Sequence, residues 1–132
     1  MIRVMKQFSV FLPNKPGELR KLLLKVRKMN LTAAATFASR DGAIMRLVPQ
    51  DKGSFENVLK HERVSYSKED VVMASIEDEP GGLLRVLTTL QQAHVNIEGL
   101  YIVGGHENGK THCMIQADDV ERAVGALSGG KR

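Results

Sequence analysis

Tryptophan is absent, cysteine occurs once, and aromatic residues make up only 5% of the 132 residues. The lone Cys113 excludes an intrachain disulfide and leaves no Cys-x-x-Cys spacing for metal or redox chemistry. No apolar run approaches the roughly 20 residues that a membrane helix requires. The opening Met1-Ile2-Arg3-Val4-Met5-Lys6 also lacks the unbroken apolar stretch of a secretory signal. A cytoplasmic protein is therefore the expectation.

Catalytic groupings are equally scarce. Of His61, His94, His106 and His112, only His112 stands beside a nucleophile, Cys113, and neighbours on a strand point to opposite faces. His106, His112 and Cys113 lack a fourth ligand and the spacing of a zinc site. Gly104-Gly105 with Gly109 precedes a strand rather than a helix, so it is no phosphate-binding fingerprint. The expectation is a protein that is not an enzyme, with no catalytic residue, no metal and no cofactor.

What is present is an ordinary globular composition, 42% hydrophobic and 26% charged, with a net charge of +4. The total hides a division: residues 1–66 carry 13 Lys/Arg against 5 Asp/Glu, whereas residues 67–132 carry 6 against 10. Opposite halves suit either a basic surface for an acidic partner or attraction between modules.

The chain also repeats itself. Asn14-Lys15-Pro16-Gly17-Glu18-Leu19 recurs 64 positions on as Asp78-Glu79-Pro80-Gly81-Gly82-Leu83. Upstream, Phe8, Val10 and Leu12 match Val72, Ala74 and Ile76 with the period of a half-buried strand. Downstream, Leu19, Leu22, Leu23 and Val26 match Leu83, Val86, Leu87 and Leu90 with the spacing of one buried helical stripe. Each Pro suits the first helical position, with the Asx two residues earlier as a cap.

The helices are expected to end near Asn30 and His94, and at the same offset Thr32 aligns with Asn96. Asp41-Gly42 answers Asn108-Gly109 as hairpin dipeptides, with third strands from Ala43 to Pro49 and from Lys110 to Ala117. Second helices start near Ser54 and near Asp118 or Asp119. Arg63-Val64-Ser65-Tyr66 reads as a fourth strand in the first half. The second half ends without one, so that strand is either missing or supplied by another segment. The polar Ser67-Lys68-Glu69-Asp70 marks the boundary, giving units 1–68 and 69–132.

A strand, Asx-x-Pro-Gly-x-Leu, a helix and an x-Asn-Ile strand start resembles the ACT family of regulatory domains, and both halves carry it. Asn96-Ile97-Glu98-Gly99 is similar to the family's second-strand opening. The resemblance implies an α+β fold of two ferredoxin-like βαββαβ units, with antiparallel sheets and helices on one face. It also implies a regulatory sensor that binds a small molecule, often an amino acid, where units pair side by side, and an allosteric role.

Carried over residue by residue, the ligand-binding positions are Asn14, Pro16, Gly17 and Thr32 in the first unit and Asp78, Pro80, Gly81 and Asn96 in the second. The residues themselves suit this task. A helix N-terminus offers N–H groups to a carboxylate, and glycine allows close approach. The plain alternative is that each Asx caps its helix and each Gly permits the turn.

A homodimer is expected if the second unit leaves a sheet edge open. Two other functions fit the same fold: a regulatory subunit for an enzyme of amino-acid metabolism, and an RNA-binding ferredoxin-like module. The second is disfavoured because 43–48 and 110–115 contain no stacking aromatic on the third strands.

Overall fold

The computed structural model describes residues 2–129, apart from the side chains of residues 106 and 107. The period-2 and helical stripes become ten elements among the described residues. They are β1 (Ile2–Leu12), α1 (Glu18–Lys25), β2 (Leu31–Ser39), β3 (Gly42–Pro49), α2 (Lys52–His61), β4 (Tyr66–Glu77), α3 (Gly82–Gln92), β5 (Ile97–Glu107), β6 (Lys110–Ala117) and α4 (Val120–Gly129). The chain divides into two compact units, one built on Lys6–Glu69 and the other on Asp70–Arg132 together with Met1–Met5.

In the first unit the strand order is β2-β3-β1-β4, the order of a βαββαβ ferredoxin-like sheet. β3 runs antiparallel to both neighbours, with Met45 opposite Val10 on one side and Thr36 on the other. Phe8, Val10, Met45 and Leu47 turn one sheet face toward Leu22 and Val26 at α1 and toward Phe55 and Leu59 of α2. The Phe8 ring lies 5.0 Å from Phe55 and 6.0 Å from Tyr66, so aromatics knit the core. Phe8, Phe55, Leu47 and Leu59 are fully buried, each contributing about 1.5–3 kcal/mol of apolar transfer.

The fourth strand of this unit begins at Tyr66 rather than Arg63. Arg63 has φ +57° in the turn after α2, and Ser65 accepts a hydrogen bond from the Phe11 N–H at 3.0 Å. The polar boundary from Ser67 to Asp70 is thus part of a strand. Polar residues persist there because they have partners. The Glu69 carboxylate accepts from Gln7 Nε2 at 3.1 Å, Ser9 Oγ at 2.9 Å and Ser67 Oγ at 2.8 Å. That satisfies Gln7 and Ser9, which are both buried.

The second unit repeats the plan with the order β1-β4-β6-β5. Its core joins Val72, Ala74, Ile76, Cys113 and Ile115 of the sheet with Leu90 of α3 and Ala123 of α4, and Ile2 packs against it. Residues 2–5 therefore fill the position of the fourth strand left open in the sequence. Of the two alternatives the sequence leaves, a missing strand or one supplied by another segment, the second holds, and the open edge that motivated a homodimer is filled.

Local chemistry explains the remaining differences. α2 is capped by Asp51, whose carboxylate accepts from the Ser54 N–H at 3.1 Å, so Ser54 lies inside the helix rather than before it. Asp119 caps α4 through the Arg122 N–H at 3.0 Å. Ser39 faces Gly42 across the first hairpin, so the turn residues are Arg40 and Asp41, not Asp41-Gly42. In the second hairpin Asn108 and Gly109 take φ of +55° and +72°, as its two-residue turn requires.

Candidate ligand site

Each Pro-Gly loop is shaped by its glycine. Gly17 and Gly81 have φ of +88° and +87° immediately before α1 and α3. Only glycine enters that region without steric cost. Each proline thus precedes the cap instead of occupying the first helical turn, and neither helix has a side-chain cap.

Asn14 does other work. Its Nδ2 donates to the Ser39 carbonyl at 2.8 Å, tying the loop to the β2–β3 hairpin. In the second unit the Asp78 N–H donates to the Gly109 carbonyl at 2.9 Å, tying that loop to the β5–β6 hairpin. The two helix starts differ in charge. Glu18 opens α1 with a carboxylate 3.8 Å from Lys15 and 3.4 Å from Lys21, so this N-terminus already faces an anion. Gly82 opens α3, and Glu79 there pairs with Arg85 at 2.6 Å.

The second-strand starts follow a register other than the 64-residue offset. Leu31 lies opposite Pro49 and Ile97 opposite Ala117, and in both units the register shifts just afterwards. Leu31 is therefore the counterpart of Ile97, Asn30 of Asn96, and the bulged Thr32 of Glu98. The same pairing recurs in the backbone: the Asn30 carbonyl accepts from the Gln50 N–H at 3.0 Å, and the Asn96 carbonyl from the Asp118 N–H at 3.0 Å. Asn96 also donates its N–H to Asp118 Oδ1 at 3.0 Å. Both asparagines are exposed, with the backbone held.

Within one unit, loop and strand start are not brought together. Leu12 faces Ala43 while Leu31 faces Pro49, which puts them at opposite ends of β3, roughly 20 Å apart at about 3.3 Å per residue. The same holds between Glu77, opposite Lys110, and Ile97, opposite Ala117. Asn30 is the position that offset counting passes over. The Asn-Leu and Asn-Ile dipeptides at 30–31 and 96–97 are the signal that locates it.

Cys113 is fully buried in the second core, and desolvation pushes its thiol up to about 11, far from a reactive thiolate. His112 Nδ1 lies 3.4 Å from the Gly104 carbonyl. Among the described residues no three His, Cys, Asp or Glu side chains converge on a possible metal position, and the His106 side chain lies outside them. No helix among the described residues is long and apolar enough to cross a membrane.

Two βαββαβ units joined in one chain, each with a Pro-Gly loop at a helix start, define a tandem ferredoxin-like α+β protein. The family model described as "ACT domain pair" matches residues 3–127, and the chain belongs to that family. No curated protein matches it in sequence.

Among solved structures, protein BT0572 from Bacteroides thetaiotaomicron is similar at 28% identity and a TM-score of 0.89, over 98% of this chain and 90% of that one. The ligand-free regulatory subunit of aspartate kinase from Thermus thermophilus follows at 12% identity and a TM-score of 0.67, covering 99% and 97%. E. coli aspartokinase III, in complex with lysine and aspartate, is similar at 14% identity and a TM-score of 0.56 over 98% of this chain and 32% of its own. The latter two likenesses are likenesses of fold.

Proposed function

We propose that this ACT pair is a regulatory sensor that binds an amino acid without transforming it, at a site shared between paired ACT units. The observation that carries the reading is the repeated pair of a glycine-shaped loop at one end of each sheet and an exposed asparagine on a clamped backbone at the other. A ligand that needs both elements takes the loop from one unit and the strand start from another. Antiparallel pairing of edge strands achieves this, because it sets the hairpin end of one strand beside the start of its partner.

The edge strand β2 suits such pairing in a homodimer, since Leu31–Ser39 carries no charge and no proline to discourage it. The proposed contacts are Asn14, Pro16, Gly17 and Thr32 with Asp78, Pro80, Gly81 and Asn96, to which the register adds Asn30. Asn14 spends one amide hydrogen on Ser39, leaving Oδ1 to accept from the ligand's ammonium, while the amide at a strand start, Asn30 where β2 pairs with β2 and Asn96 where β5 takes part, donates to the carboxylate.

Calorimetry against the twenty common amino acids, paired with thermal melts, tests the reading. At least one is expected to give saturable heat and to raise the melting temperature, since a ligand at a hundred times its Kd stabilises by about 2.7 kcal/mol. Silence from all twenty at millimolar concentration rejects it. A second reading, a regulatory subunit for an enzyme of amino-acid metabolism, is favoured by the likeness to an aspartate kinase regulatory subunit. Co-purification with a catalytic subunit in the absence of amino-acid binding would select it.

A further inference from the structure

We propose that the helix-free face of the first unit's sheet binds a small planar aromatic anion, with its ring on Phe11, Ile44 and Phe37 and its charge at Arg46. Phe11 and Phe37 both lie opposite Ile44, so the three side chains form one row across β1, β3 and β2. Phe11 alternates with Val10 and Leu12, which face the helices, so the row lies on the other face. Of four phenylalanines, Phe8 and Phe55 are buried, whereas Phe11 and Phe37 are 44% and 53% exposed. Two large rings left half-exposed on either side of Ile44 mark a binding surface rather than scattered exposure. At a strand spacing of about 4.8 Å the row spans roughly 10 Å, enough to floor one fused aromatic ring.

Arg46 sits one pleat away on β3, about 7 Å from Ile44. Its guanidinium carbon is 5.4 Å from the centre of the Phe37 ring, which holds the cation beside the row. Its Nε is shielded from solvent and has no partner among the described residues. A carboxylate or phosphate laid there would supply the acceptor that this donor lacks.

The row continues into an open groove of about 570 Å³ lined by Phe11, Leu12, Pro13, Ser39, Asp41 and Ile44, a volume suited to a small molecule. Asp41 at the hairpin end repels an anion, so the ligand's charge points toward Arg46. In the second unit the corresponding row is Ser75, His112 and Gly104, where one imidazole stands in place of two phenyl rings and no ring answers Phe11 or Phe37, so the expected stoichiometry is one per chain.

Indole-3-acetate is a suitable probe, because the chain has no tryptophan and the indole fluorescence reports the ligand alone. The expected result is saturation at one per chain, with neutral indole at least tenfold weaker. Phe37→Ala, Phe11→Ala and Arg46→Gln should each weaken binding at least tenfold. The two exposed phenylalanines should be replaceable with an unchanged melting temperature, and Asn96→Ala should leave this binding intact, which separates the site from the loop site proposed above. Displacement by AMP would identify nucleotides as the source of the aromatic anion, and displacement by aromatic amino acids alone would identify those.

Equal affinity for indole and indole-3-acetate overturns the proposal, as does unchanged binding by Phe37→Ala and Arg46→Gln. So do a hundredfold preference for a short oligonucleotide over AMP, which would make the face a nucleic-acid platform, and dissociation of a dimer by Phe37→Ala without loss of ligand affinity.

Discussion

Gly82→Ala and Gly125→Ala make the same chemical change in one unit, and the structure assigns them opposite signs. A Cβ on Gly82 would lie 1.9 Å from the Glu77 carbonyl oxygen, because the first turn of α3 rests directly on the end of β4. The obstructing atom is backbone and has no rotamer to change, so the helix start must move by more than an ångström. Overpacking of this kind costs about 1–3 kcal/mol, and a backbone obstacle puts it at the upper end. Alanine's better helix propensity returns at most about 1 kcal/mol. The net expectation is a loss of about 2 kcal/mol.

At Gly125, inside α4, the added carbon meets nothing within 4 Å. Only propensity and the stiffer unfolded chain remain, a gain of about 0.5–1 kcal/mol. Urea unfolding followed by far-ultraviolet circular dichroism measures both, with the midpoint shifting at constant slope. If Gly82→Ala lies within 0.5 kcal/mol of the unsubstituted protein, the close approach of α3 to β4 is wrong.

Gly17→Ala, with open space around it, should cost about 1–2 kcal/mol through its left-handed backbone alone, read from the same urea curves. Asn96→Ala should lower amino-acid affinity roughly tenfold or more while Thr32→Ala changes little, since one lost bond of about 1–3 kcal/mol is at stake; equal calorimetric losses would contradict this. Asp51, Glu56 and Glu77 are held below the usual carboxylate range by Ser54, by the Tyr66 hydroxyl and by Lys110 respectively. Their stabilisation is complete above the unfolded carboxylate pKa and is lost as pH falls through the folded values, so acid melts should steepen below about pH 4 and Glu56→Gln should flatten them. The Cys113 thiol should resist alkylation at pH 8 until urea unfolds the second core; prompt labelling of the native protein would show that core to be open.

The repeat made most of the fold legible, because strand and helix periods are local and survive in both halves. Phe8, Val10 and Leu12 announce one sheet face, and Leu22 and Val26 the helix that covers it. What escaped were facts of long range. The alternation of Ile2-Arg3-Val4-Met5 is too short to name its partner, and the pairing that makes it a fourth strand joins residues far apart in sequence. Ser67 to Asp70 reads as a polar boundary, and its place in β4, with Gln7 and Ser9 bonded to Glu69, depends on residues some sixty positions away. Exposure was hidden for the same reason: alternation places Phe11 and Phe37 on the face opposite the helices but cannot say that their rings stay in water.

The repeat is legible in its residue types, but the 64-residue offset misses the register of the strand starts, and the cause lies in the helix and the turn after it. α1 has eight residues and α3 eleven, while the turn that follows is one residue shorter after α3, so an offset of 64 at the helix starts becomes 66 at Leu31 and Ile97. Counting through that change equates Thr32 with Asn96 and makes the strand starts look unequal. In the fold both present an exposed asparagine on a backbone tethered to the chain that leads into the second helix, at Gln50 in one unit and at Asp118 in the other. The asymmetry between the units therefore resides in their loops. Glu18 supplies a carboxylate at the start of α1 and opposes an incoming anion there, whereas Gly82 leaves the start of α3 without a side chain. Under the proposed function a carboxylate-bearing ligand would meet two alike asparagines and two unlike helix ends, and the helix ends would set any difference in affinity.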